Sequence, residues 1–144
     1  MSALQAMPAM SGADLSRAVL DQLRSDGGVR DLFGIPPRVH DGEPGAPAFP
    51  FAQLESVQET DAGSAGVPGR DYRITISTAS RHGGRSFAME LVGTLRAALE
   101  TMDLQVPGQR IVLQQVVYAD AMRSADRRRF RGLVRVRIIT EEEA

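Results

Sequence analysis

Only two histidines occur in the 144 residues, and neither has the company that proton transfer or metal binding requires. His40 stands in a Pro-rich stretch beside Asp41, and His82 lies beside Gly83-Gly84. A His–Asp neighbour pair arises easily by chance, and no Gly-x-Ser-x-Gly elbow accompanies it to supply a nucleophile. The chain has no Cys, which removes thiol catalysis, disulfides, iron–sulfur clusters and cysteine zinc sites together. A metal site would need both histidines plus carboxylates from unrelated segments. All 17 basic residues are Arg, so Schiff-base chemistry and the lysine of a Walker-type phosphate loop are absent too. Carboxylates are scattered singly apart from Glu141-Glu142-Glu143, and none has a defined acid–base partner. The residues imply no catalytic group, no cofactor and no metal.

Two features have a charge suited to anions. In Arg81-His82-Gly83-Gly84-Arg85, glycines ahead of a helix can present backbone N–H groups to an anion, and the flanking Arg add charge. The same residues also make an ordinary strand-to-helix turn. The larger feature is a cluster of seven Arg over residues 120–137 (Arg123, Arg127, Arg128, Arg129, Arg131, Arg135 and Arg137), opposed only by Asp120 and Asp126. Residues 1–69 carry four Arg against nine acids, so the chain is electrically divided although its net charge is −1.

Such a cluster has three uses: a solvated strand face that deters edge-to-edge aggregation, contact with phosphates, or docking on an acidic face of an identical neighbour or another protein. Phosphate contact contributes about 1 kcal/mol per charge, and single-strand binders add about 1–3 kcal/mol per stacked base. Near the cluster the sequence offers only Phe130 and Tyr118 for stacking, with Phe130 on an apolar face, and the terminal Glu run opposes phosphate. Docking or solvation is therefore favoured. The candidate interface comprises the seven Arg together with Asp61 and Arg70 at a Gly-rich loop.

The elements that must carry these residues follow from periodicity. Leu15, Val19 and Leu23 predict a helix over 12–26, stopped by Gly27-Gly28, with a short turn over Val29–Phe33. Five prolines over 36–50 leave room only for a brief strand at 38–41. Residues 51–59 read as extended, and 61–69 as a mobile Gly-rich loop. Tyr72, Ile74 and Ile76 alternate with Arg73, Thr75 and Ser77, predicting a strand with one apolar face. A long helix over 85–102 carries Phe87, Leu91, Leu95, Leu99 and Met102 on one stripe, with Ser86 as its candidate cap. Residues 111–118 are apolar on both faces apart from Gln114 and Gln115, predicting a strand inside the sheet. Residues 119–129 form a hairpin with a polar tip, and 130–140 alternate again. The expected architecture is α+β: an antiparallel or mixed sheet of four to five strands, with the N-terminal and long helices packed on it. It forms one domain over 12–144 behind a flexible leader at 1–11. No segment suits a membrane span or a secretory signal.

The whole arrangement resembles the tail completion or tail terminator proteins of long-tailed phages and gene transfer agents. The resemblance lies in the helix ending at Gly27-Gly28, Val29-Arg30-Asp31-Leu32-Phe33-Gly34, Ala48-Phe49-Pro50-Phe51, Asp71–Ser77 before Gly83-Gly84-Arg85, and the final strand Phe130–Arg137. Where such proteins often carry Trp before the long helix, this chain has Ile76. The resemblance implies a structural protein of a phage-like particle, assembled in the bacterial cytoplasm. It implies a ring, commonly a hexamer, that caps the head-proximal end of the tail tube. Its partners would then be further copies of itself, the tail tube protein and the head connector, with DNA only as passing cargo and no membrane. Two alternatives remain at this point: a nucleic-acid-binding module using the Arg-rich hairpin, and a small enzyme taking a phosphorylated ligand at Gly83-Gly84.

Overall fold

Helix α1 (Gly12–Ser25) buries Leu15, Val19, Leu20 and Leu23, with Asp14 in its first turn, where the helix dipole favours an acid. The first helix ends just before Gly27-Gly28, as expected, and the short turn expected over Val29–Phe33 is a helix in its own right. Asp26 caps a second helix, α2 (Gly27–Phe33), by accepting a 3.0 Å hydrogen bond from the Val29 N–H. The two glycines turn the chain into a new helix instead of a loop, and α2 buries Val29 and Phe33. The computed structural model describes residues 12–63 and 65–143; the expected leader at 1–11 lies outside them.

Five strands follow: β1 (Val39–Asp41), β2 (Phe51–Asp61), β3 (Gly69–Ser80), β4 (Gln109–Arg123) and β5 (Phe130–Glu142), with helix α3 (Gly84–Thr101) between β3 and β4. They form one sheet of order β1-β2-β3-β5-β4. The sheet is mixed: β1 pairs parallel to β2, and the other pairings are antiparallel. The Pro-rich segment is tied down by arginines. The Arg24 guanidinium donates to the Val39 carbonyl at 2.9 and 3.0 Å, and Arg38 Nε donates to the Pro50 carbonyl at 2.8 Å.

All three helices lie on one face of the sheet. Leu91, Leu95, Ala98 and Leu99 of α3 pack over Ile74, Ile76, Val134, Val136 and Ile138 of the central strands. The close approach needs Gly132. A Cβ there would meet Val92 Cγ2 at 2.4 Å and Thr78 Oγ1 at 2.5 Å. At the start of α3, Ser86 caps nothing; the N-cap is Gly83, at φ 82°, and no side chain bonds to the helix end. At its C-terminus the Gln114 amide donates to the Leu99 and Met102 carbonyls at 2.7 and 3.0 Å. The glutamine that breaks the apolar pattern of β4 is thus a helix cap.

The expected apolar face of β3 is present; on its other face Arg73 is exposed, while Thr75 and Ser77 are buried because long side chains from β2 and β5 lie over them. One strand expectation is corrected, because β4 is an edge strand. Its apolarity on both faces reads as an interior position, yet β5 occupies that position and β4 leaves Val112, Val117, Tyr118 and Met122 exposed.

Candidate functional site

The outer face of the sheet, opposite the helices, carries the arginines of β5. Arg137 forks onto Asp71, with its closest contact at 2.8 Å. Arg135 Nε donates to Thr75 Oγ1 at 3.2 Å, and Arg131 reaches Glu55 at 2.6 Å. Arg137 holds the Asp71 carboxyl below the usual carboxylate range, outweighing the upward push of burial. Burial pushes the Glu55 carboxyl up, but hydrogen bonds from Arg131, Ser77 and Gln53 overcome it, and the net shift is downward. Arg70 is likewise engaged, with Glu59 at 3.0 Å and Asp61 at 3.6 Å. Of the nine candidate interface residues, Arg131, Arg135, Arg137, Arg70 and Asp61 therefore have partners within their own chain.

The other four lie elsewhere. Strand β4 runs on to Arg123, so the hairpin loop is only residues 124–129. Its tip is knotted: Ser124 N–H donates to the Arg129 carbonyl, Arg127 N–H to the Ser124 carbonyl, and both Ser124 Oγ and Arg128 N–H to Asp126. These bonds hold the Asp126 carboxyl below its ordinary range. Arg127 sits at φ 60°, a left-handed conformation that suits glycine.

Register then brings a second group of arginines to this tip. Ser80, at the end of β3, pairs with Phe130, and Phe130 with Arg123, so the Arg81–Arg85 turn and the β4–β5 hairpin share one end of the sheet. Arg85, Arg123 and Arg127 line one open cleft of about 520 Å³ together with Phe130 and Gly84. Phe49 comes in from the Pro-rich segment. Arg81 lies over its ring at 4.1 Å and Arg129 at 5.2 Å, and Arg123 lies over Phe130 at 5.0 Å. Sequence reasoning missed Phe49 because its spatial neighbours are about 30 and 80 residues away along the chain. Among the described residues, Arg81, Arg85, Arg123, Arg127, Arg128 and Arg129 make no ion pair. The opposite end of the sheet gathers Asp61 and Glu141–Glu143.

The bare edge is the second surface. Between Arg110 and Asp120 strand β4 carries no charge. Bulges at Ile111/Leu113 and Val116/Tyr118 interrupt its ladder with β5. Tyr118 hydrogen-bonds to Asp120, which raises the pKa of its hydroxyl, and Arg135 lies 5.7 Å from its ring. Bulges hinder strand addition, so this edge offers side chains more readily than backbone.

His40 packs against Phe51, 6.0 Å between centroids, and His82 lies in the turn before α3. No group of three or more metal-ligating side chains occurs among the described residues, and none of their helices is long and apolar enough to cross a membrane.

Comparison with known proteins adds a family to this geometry. No curated protein matches the chain. Among solved structures, a chain in the virion of a native gene transfer agent particle is 25% identical, with a TM-score of 0.77 over 88% of this chain and 94% of that one. Residues 17–141 match the family described as tail completion protein gp17, and that span includes every strand core, the basic end and the bare edge. The chain belongs to the tail completion protein gp17 family.

Proposed function

We propose that the chain is the terminator of a phage-like tail. Copies of it close a ring, a hexamer, on the head-proximal end of the tail tube and join the tube to the head connector, leaving a passage for DNA. The protein is a structural component of the particle and makes or breaks no bond. Family membership supports the tail assignment. The exposed Val112, Val117, Tyr118 and Met122 on β4 carry the ring.

A cyclic ring needs two different surfaces on each subunit that meet head to tail. Exposed ion pairs contribute only about 0–1 kcal/mol each, so the contact must bury apolar area, at about 25 cal/mol per Å². Edge strand β4 supplies such area, and β5's arginines, already paired within the subunit, form a polar rim beside it. The loop at 61–69, flanked by Asp61 and Arg70, lies at the other end of the sheet, where it suits contact with the tube or connector.

The test is a particle preparation in which Val117 is replaced by Arg. The isolated variant should melt as the native chain does, because Val117 is exposed. Electron micrographs should show heads without tails and tubes of unregulated length. Normally attached tails of regular length from a Val117→Arg preparation, or from a strain lacking the gene, would end the proposal.

A further inference from the structure

We infer that the basic end is a binding surface for the phosphate backbone of duplex DNA, read by charge and not by sequence. This goes beyond the ring reading, since it concerns the isolated chain as much as an assembly.

Arg81, Arg85, Arg123, Arg127 and Arg129, from two elements, gather there with Arg128 next to them in the loop and without an ion pair, whereas the arginines of the sheet's outer face beside Glu55 and Asp71 are paired. The nearest acid, Asp126, is hydrogen-bonded by Ser124 and the Arg128 N–H, and its one charge is shared between Arg128 and Arg129. Arg81, Arg123 and Arg129 are braced against aromatic rings, which fixes guanidiniums that would otherwise lose freedom on binding. Arg85, Arg123 and Arg127 face a common cleft of about 520 Å³, large enough for phosphate groups to enter between them. Arg127 occupies the left-handed conformation at the tip, so a charge stands where glycine would relieve strain.

The choice between a nucleic acid and an acidic protein rests on what surrounds the charge. Protein interfaces draw their energy from buried apolar and aromatic anchors. The tip, Ser124 to Arg129, has no apolar side chain larger than Ala, and Phe49 carries two guanidiniums over its ring. The apolar surface lies along β4. A duplex, by contrast, presents a charge about every 1.7 Å along its axis and needs no apolar complement. Phe49 and Phe130, the rings at this end, already carry guanidiniums, which reduces the ring surface open to unstacked bases and favours double over single strands.

Fluorescence anisotropy of a labelled duplex of about 30 base pairs, titrated with the purified chain over a series of salt concentrations, tests this. Binding is expected to be indifferent to base sequence, with log K falling against log salt at a slope of about −3 to −5. The triple variant Arg123→Gln/Arg127→Gln/Arg128→Gln should lose about a hundredfold in affinity at low salt and about two to three units of that slope. Thermal melting of the variant confirms that it folds. Arg17→Gln/Arg96→Gln, on the helices away from this end, should bind as the native chain does. The inference is overturned if about 100 µM protein leaves the duplex free at about 20 mM salt. It is equally overturned if the triple variant binds unchanged, or if polyglutamate displaces the duplex at equal or lower charge concentration, which would make the surface a protein dock. A failure here leaves the ring reading standing, because that reading is decided by tail length and attachment.

Discussion

At the residue scale, two arginines of one hairpin illustrate two opposite uses of the same side chain. Arg137 is fixed by Asp71, whose carboxyl is largely buried and titrates below its ordinary range. An aspartate in the unfolded chain titrates near ~3.9. The pair's contribution is therefore complete above that pH and is lost as the pH falls through the lower folded value. Asp71→Asn should cost about 1–2 kcal/mol at neutral pH, and it should flatten the acid limb of the stability profile below about pH 4; urea titrations at neutral and acid pH measure both. Arg127, by contrast, meets no carboxylate and strains its backbone. Arg127→Gly should leave the melting temperature equal or raise stability by up to about 1 kcal/mol, while duplex affinity falls. A clear loss of stability would mean that the guanidinium does structural work at the tip. Sequence alone gave both arginines the same standing. What separates them is register, because Arg137 falls opposite Arg73 and diagonal to Asp71, while Arg127 sits beyond the last ladder pair.

At the element scale, periodicity locates what is local and misjudges what depends on neighbours. The helices over 12–25 and 84–101, the brief strand at 39–41 and the strands of the second half all appear in the sequence pattern, since amphipathic spacing is a property of the segment itself. The order of strands is not. Residues 111–118 look like an interior strand because both faces are apolar, yet β4 lies at the edge. The excess apolarity is left exposed along the edge, and Gln114 belongs to the end of α3. The glycine pair at 27–28 marks the end of α1 as its composition suggests, and what the pattern understates is that Asp26 caps a full second helix there. Gly132 is the most demanding junction between elements. Gly132→Ala pushes a methyl group into Val92 of α3 and Thr78 of β3 at once, so it should destabilise by about 1–3 kcal/mol. Denaturant midpoints measure the loss, and truncating Val92 to Ala in the same chain should recover part of it, because the added methyl then has space. Additive losses in the double variant would show that the helix does not press on this strand.

At the scale of the whole molecule, the fold separates two kinds of surface that the sequence interleaves. Met122 and Arg123 are neighbours in the chain, yet Met122 shares the outer face with Arg131 while Arg123 turns to Phe130 at the basic end. Apolar contacts along β4 depend little on salt, whereas phosphate contacts weaken with every added counterion. The two proposed functions should therefore come apart under mutation and under salt. Val117→Arg should abolish tail closure but keep the duplex affinity of the isolated chain, or raise it slightly through the added charge. The triple Arg→Gln variant should do the reverse, binding duplex poorly while rings still close and tails still attach at regular length. Raising salt from about 50 to 200 mM should strip the duplex from the isolated protein and leave assembled tails intact. Tail counts by electron microscopy and anisotropy on the same variants measure both properties. Loss of both in either variant would place the apolar edge and the arginine end in one shared interface, with a protein in place of DNA against the hairpin tip.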